Sequence, residues 1–174
     1  MKTYKFYHKS GDYRSISLKG TELENALSSN PFTVRFEDFS DTEYSWVNQK
    51  DVVSDAPFID GCIPVLSQRA FDVLGAKICD NTKSIRIFVE DQPFYILYDE
   101  QIIEGALNFE KSIIRFFRDG RIMQIKKYAF KNKQYPSIFK IKEDLTFDFV
   151  TEDVIQLIID AKLVGFDWEE CLIE

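Results

Sequence analysis

In the stretch IPVLSQRAFDVLG, residues 63–75, Ser67 stands two residues before Arg69 at the end of an apolar run, a spacing that fits either a reactive hydroxyl or the start of a helix. A serine nucleophile needs a base within hydrogen-bond reach and donors for the oxyanion, and the sequence identifies neither. The mechanical reading is simpler. Ala70, Phe71 and Leu74 recur at helical spacing, so the Ser67 hydroxyl serves the free N–H groups of a first turn, Arg69 lies on the polar side and Gly75 ends the helix. His8, the one histidine of the chain, has no cysteine neighbour for a metal and no nucleophile beside it, which predicts a surface or edge-strand residue. Cys62, Cys79 and Cys171 form no C-x-x-C pair and fit reduced thiols better than a disulfide framework. The adjacent acids Glu90-Asp91 and Glu169-Glu170 could hold a metal or act as an acid and base pair, but at turn and tail positions they read as solvated charge. No glycine-rich phosphate loop, H-E-x-x-H, G-x-S-x-G or EF-hand loop occurs. These residues give no catalytic set, no metal site and no cofactor, and predict a protein that is not an enzyme.

The elements that would position such residues are those of one domain over 1–174, with residues 1–56 as a variable N-terminal lobe and 57–174 as the core. The predicted class is α+β: mainly antiparallel sheet with a few short helices and a buried C-terminal helix. YKFYH and YRSISLK alternate as two strands of a hairpin around Ser10-Gly11, and TELENALSS carries a capping box, Thr21 with Glu24. FTVRF reads as a strand, SIRIFV alternates with Ile85, Ile87 and Val89 on one side, and FYILY is a continuous apolar strand after a turn at 90–93. EQIIEGALNF reads as a short helix weakened by Gly105. In SIIRFFRDGRIMQIKKYAF, Asp119-Gly120 is the dipeptide of a two-residue type I′ turn, which sets Phe116 opposite Met123 and Ile114 opposite Ile125. YPSIFKIKE and DLTFDFV are further strands. Thr151 caps a closing apolar helix, Gly165 supplies its left-handed end, and FDW returns as a strand. The order apolar strand, Ser or Thr cap, apolar helix, Gly thus occurs twice, predicting two helices packed against one sheet.

The net charge of −7 argues against nucleic acid as a partner and for a basic protein. Residues 112–140 hold eight Lys or Arg against Asp119 alone, whereas 141–174 hold ten Asp or Glu against Lys142 and Lys162. Mutual neutralisation of the two segments in the fold is the preferred reading over a free basic patch. No apolar run of membrane-spanning length is present, and the start MKTYKFYHKSGDYRS lacks the apolar core of a secretory signal, so the expected location is the cytoplasm, with no membrane partner.

Residues 57–168 resemble the immunity protein family eleven of bacterial polymorphic toxin systems, formerly a domain of unknown function. The resemblance is carried by IPVLSQRAFDVLG, FYILY, FEKS, RDGRIMQIKKYAF, PSIFKI and FVTEDVIQLIIDAKLVGFDW in that order. Family members commonly place an Asn-Val or similar pair where this chain has Tyr98-Asp99-Glu100-Gln101. The resemblance implies a cytoplasmic protein that binds and neutralises a cognate toxin domain, encoded by an adjacent gene, through stoichiometric inhibition, without catalytic residues of its own. The segment FEDFSDTEYSW is the first candidate partner surface: Glu37, Asp38, Asp41 and Glu43 offer charge for steering, and Phe39, Tyr44 and Trp46 offer anchors. The competing reading is a loop whose aromatics pin it to the core. The tail acids Asp167, Glu169, Glu170 and Glu174 are the second candidate surface. Two other classes remain open: a small carboxylate-dependent enzyme, and a regulatory or nucleic-acid-binding module that uses 112–140. A homo-oligomer is also open.

Overall fold

The two apolar strands SIRIFV and FYILY differ in pattern because one has a single covered face and the other has two. In the computed structural model, which describes residues 2–9, 13–19, 43–47, 52–59, 63–98 and 100–173, both belong to a barrel. The elements run in chain order β1 (Thr3–His8), β2 (Ser15–Lys19), β3 (Glu43–Val47), β4 (Phe58–Ile59), β5 (Ile63–Ser67), α1 (Gln68–Ile78), β6 (Lys83–Val89), β7 (Gln92–Tyr98), β8 (Ile102–Ile103), β9 (Ile113–Phe116), β10 (Ile122–Lys127), β11 (Ala129–Phe130), β12 (Ile138–Ile141), β13 (Asp144–Thr151), α2 (Glu152–Asp160), β14 (Phe166–Glu170) and β15 (Leu172–Ile173). The α+β class, mainly antiparallel, is what the alternating patterns dictate. The predicted helix at 21–29, the FTVRF strand and Cys62 lie outside the described residues.

The barrel closes in the order β2-β3-β6-β7-β5-β4, with parallel joints at β3–β6 and β4–β2 and antiparallel pairing elsewhere. Ile16, Leu18, Tyr44, Ile59, Val65, Ile87, Val89, Phe94 and Ile96 fill its interior. On β6 the outward residues Arg86 and Phe88 meet solvent, whereas on β7 the outward Tyr95 and Leu97 pack under a helix. That second cover is why FYILY carries no polar alternation. The β6–β7 turn is shorter than expected: Glu90 and Asp91 both take positive φ, 47° and 66°, and Pro93 already stands in the strand opposite Phe88.

The second sheet runs β14-β1-β13-β12-β8. The expected β1–β2 hairpin does not form, because β1 pairs with β13 and β14 while β2 pairs with β3 and β4 in the barrel. Thr3, Tyr4, Lys5 and Phe6 are consecutive buried residues, the signature of an inner strand covered on both faces. The described strands from residues 1–56 are therefore shared between both sheets and form no separate layer. The segment read as a short helix at 100–109 is instead β8, held parallel to β12 through Lys140 N–H to the Gln101 carbonyl (2.9 Å), followed by a turn in which Gly105 takes φ 62°.

Both helices lie between the barrel and one face of this sheet. They share a core in which Leu66, Ala70, Leu74 and Ile78 meet Val154, Ile155 and Ile158 over Tyr4, Phe6, Ile138 and Val150. The two strand–cap–helix units thus start from different sheets and meet helix to helix, a correction to two helices on one sheet. Phe71 stacks on Tyr95 at 3.8 Å between centroids, docking α1 on the barrel wall. Gly75 does not end α1; it is buried mid-helix, and the face continues through Ile78. At the start of α2, Thr151 occupies the cap position but its hydroxyl donates to the Asp153 carboxylate, which in turn accepts from Val154 N–H (3.2 Å). Burial of α2 stops at Ile159, which is about half exposed. Its end is a Schellman arrangement. Leu163 N–H donates to the Ile158 carbonyl and Lys162 N–H to that of Ile159, both at 3.0 Å, with Lys162 itself at φ 52°.

The opposite face of the sheet carries an aromatic core of Tyr128, Phe130, Tyr135, Phe139 and Phe149, closed by the parallel pair β11–β15. Lys5 is buried beside it, with its ammonium 3.4 Å from the Phe147 ring centroid, and burial lowers its pKa.

Candidate docking surface

Ser67, the residue whose spacing most suggested chemistry, is spent on structure. Its hydroxyl accepts from Ala70 N–H (3.1 Å), as a cap does, and donates to the Asp55 carboxylate (2.9 Å). Asp55 is a buried hub. It also accepts from Arg69 Nη1 (3.1 Å) and from Val164 N–H (2.9 Å), while its own N–H donates to the Val164 carbonyl (2.9 Å). Arg69 then reaches the end of α2, where Nη2 donates to the carbonyls of Ala161 (2.6 Å) and Lys162 (3.1 Å), two groups the helix leaves without internal partners. The Ser-x-Arg spacing is what lets one turn of α1 hold both Asp55 and the far end of α2. Gly165, at φ 93°, passes so close to this knot that an added Cβ would stand 2.4 Å from Ser54 Cβ.

His8 is half-buried and not on an open surface. It ends β1, paired only with Phe166 of β14, and its ring sits among Phe6, Phe58 and Phe166 with Nδ1–H directed at the Ala56 carbonyl (3.2 Å). Burial lowers its pKa to about 4, against weaker raising effects from Asp148 and the nearby carbonyls. Cys171 is buried and its thiol pushed up to about 12, mainly by that burial, whereas Cys79 is exposed. Among the described residues no group of three His, Cys, Asp or Glu is placed to hold a metal ion. An open depression between the helices is lined by Lys77, Glu152, Asp153, Gln156 and Leu157, and the Lys77–Asp153 ion pair (2.7 Å) spans its residues.

Of the first candidate partner surface, Glu37, Asp38, Phe39 and Asp41 lie outside the described residues. Glu43 is exposed on β3 opposite Lys19. Tyr44 is a barrel-core residue, and Trp46 packs edge-on against Phe94 at 5.4 Å. Those two aromatics follow the competing reading, in which they pin the segment to the core. The tail acids form the outer strand β14, each beside a β1-side partner: Asp167 near Lys9 (3.7 Å), Glu169 accepting from Tyr7 Oη (3.2 Å), Glu170 paired with Lys2 (3.0 Å). Glu174 lies outside the described residues. The described members of the two sets are not one patch, since β3 belongs to the barrel and β14 to the open sheet.

The surface that stands out lies in the basic segment, for which the sequence predicts neutralisation. The β9–β10 hairpin pairs with no other strand among the described residues. Ile114 faces Ile125 as predicted, and these two with Ile122, which lies next to the tip, pack the hairpin on the aromatic core. Ile113 at its root, Phe116 and Phe117 toward its tip, and Met123 are each about half exposed, and Phe109, a few residues earlier, is exposed too. The tip differs from a type I′ turn. Gly120 N–H donates to the Phe117 carbonyl (3.1 Å), Phe117 N–H to that of Arg121 (2.8 Å), and Gly120 alone takes positive φ, 86°, so Phe116 pairs with Ile122 and Met123 falls in a bulge. Asp119 holds this tip by accepting from Arg121 N–H (3.1 Å) and its guanidinium (2.8 Å).

Neutralisation of the basic segment by the acidic one is realised at Lys140–Asp148 (2.6 Å). Arg115, Arg118, Lys126 and Lys127 have no ion-pair partner among the described residues. The sequence carries the signal for this surface: the hairpin has apolar residues on both faces, interleaved with cations, and the core takes Ile114, Ile122 and Ile125 while Ile113, Phe116, Phe117 and Met123 stay half exposed. No protein-family model matches the chain, and no curated protein is similar to it.

Proposed function

We propose that this protein acts by binding, as a cytoplasmic immunity protein that captures a cognate toxin domain and neutralises it by stoichiometric inhibition. The exposed apolar and basic face of the β9–β10 hairpin is the observation that supports a binding role. Monomeric proteins rarely leave several half-exposed Phe, Ile and Met on one hairpin without a partner to cover them. The toxin as partner rests on the resemblance of residues 57–168, in which the hairpin segment RDGRIMQIKKYAF is one of the matching stretches. Ser67, Arg69 and His8 are each engaged within the fold, which supports a role carried by the surface.

The test is co-expression with the product of the neighbouring gene. Rescue of growth together with a one-to-one complex on size exclusion supports the reading. Continued toxicity with no complex rejects it.

A further inference from the structure

The chemistry of the hairpin says what kind of surface covers it. Arg115, Arg118, Lys126 and Lys127 carry charge that nothing in the described fold answers, on a chain whose net charge is −7. Acids are plentiful, yet those of β14 are engaged with Lys2, Tyr7 and Lys9 of the same chain, so a second copy offers a partly neutralised surface. A polyanion such as single-stranded nucleic acid would find cations here but also the long-range repulsion of the whole molecule. Phe116 and Phe117 do offer rings for stacking, so it is the net charge of −7 that weighs against nucleic acid. Aliphatic and aromatic anchors interleaved with cations instead fit a protein cleft with an apolar floor and carboxylates on its rim. The tip is fixed in advance by Asp119, which lowers the ordering cost of insertion.

We propose that the β9–β10 hairpin is the docking element of this protein and inserts into an acidic, apolar-floored cleft of its protein partner, with Ile113, Phe116, Phe117 and Met123 as anchors and Arg115, Arg118, Lys126 and Lys127 facing rim carboxylates. This rests on the reading of the chain as a binding protein and names the chemistry of what it binds.

The test uses the full chain, isotope-labelled for amide spectra, with three probes: the acid–aromatic copolymer poly(Glu,Tyr), the oligonucleotide dT20, and increasing concentration of the protein itself. Saturable shifts confined to residues 109–127 with the copolymer are expected, weakened about tenfold by Arg115→Glu with Lys126→Glu and Lys127→Glu. A loss of similar size is expected from Ile113→Ser with Phe117→Ser and Met123→Ser. Unchanged far-UV spectra establish that the variants are folded, and single substitutions at Arg115 and Met123 give the same direction at smaller amplitude. The proposal is overturned by shifts located elsewhere, by no binding, by tighter binding of dT20, or by hairpin shifts that grow with protein concentration alone. Co-expression separates the two readings. If wild type and hairpin variants rescue equally, immunity stands and hairpin docking falls; if the copolymer maps to the hairpin but no neighbouring toxin is neutralised, hairpin docking stands and immunity falls.

Discussion

The knot around Asp55 and the β9–β10 hairpin solve the same problem, what to do with charge, in opposite ways. At the knot a buried carboxylate collects Ser67, Arg69 and the Val164 N–H, and Arg69 spends its remaining donors on the end of α2. At the hairpin, cations and large apolar side chains alternate on an arm with no further strand to pair with among the described residues. The first region converts polar groups into rigidity. The second keeps them in water, at little cost to the fold, for use with another molecule. Residues of one type can therefore have opposite roles here: Arg69 holds two elements together, and Arg115 holds none.

If that contrast is right, the largest loss of stability comes from Asp55→Ala. It removes the shared acceptor of three donors and strands an arginine beside a buried site, for about 4 kcal/mol, read as a lower denaturant midpoint at unchanged slope. A loss under about 1 kcal/mol would show that the knot is incidental. Gly165→Ala comes next, at about 3 kcal/mol, because it combines a backbone conformation unsuited to an L side chain with a clash against Ser54.

His8 gives a smaller, pH-dependent effect. Its folded pKa of about 4 lies below the ordinary unfolded value of about 6.5, so the unfolded chain binds the extra proton first. The contribution is fully present above the unfolded value, and stability falls as pH drops from about 6.5 to about 4, by roughly 2 kcal/mol after discounting for partial exposure of the ring. His8→Phe should flatten that limb in urea titrations at several pH values; an identical slope in both proteins removes His8 as its source. Smallest of all, Ile113→Ser, Phe117→Ser and Met123→Ser should each change stability by less than about 0.5 kcal/mol, since they touch exposed positions. A loss above about 2 kcal/mol would make the hairpin part of the core and erase the contrast.

Local features were legible because their causes are local. The Ser67 cap, the alternation of β6, the Ile114–Ile125 register and the apolar closing helix each follow from side-chain spacing within a few residues. The structure departs from the sequence expectations mostly where the partner is distant. β1 pairs with β13 and β14 rather than with its sequence neighbour, and α1 runs past Gly75 because its buried face continues to Ile78; Arg69 is exposed on the polar side as expected, but also reaches the distant Ala161 carbonyl. Adjacent segments of opposite charge predict mutual neutralisation, whereas the fold realises it at Lys140–Asp148 and leaves Arg115, Arg118, Lys126 and Lys127 without an ion-pair partner among the described residues.

The sequence by itself determined the α+β class, the helix start at Ser67, the hairpin around Asp119-Gly120 and the uneven charge along the chain. Periodicity, capping and turn chemistry act over three or four residues and need no knowledge of the rest of the fold. Only the tertiary structure decided that β1 sits between β13 and β14, that Asp55 gathers α1 to the end of α2, and that the hairpin is left uncovered. Pairing partners across the length of the chain are chosen by which apolar faces can be buried together, and exposure is what remains after every such choice has been made.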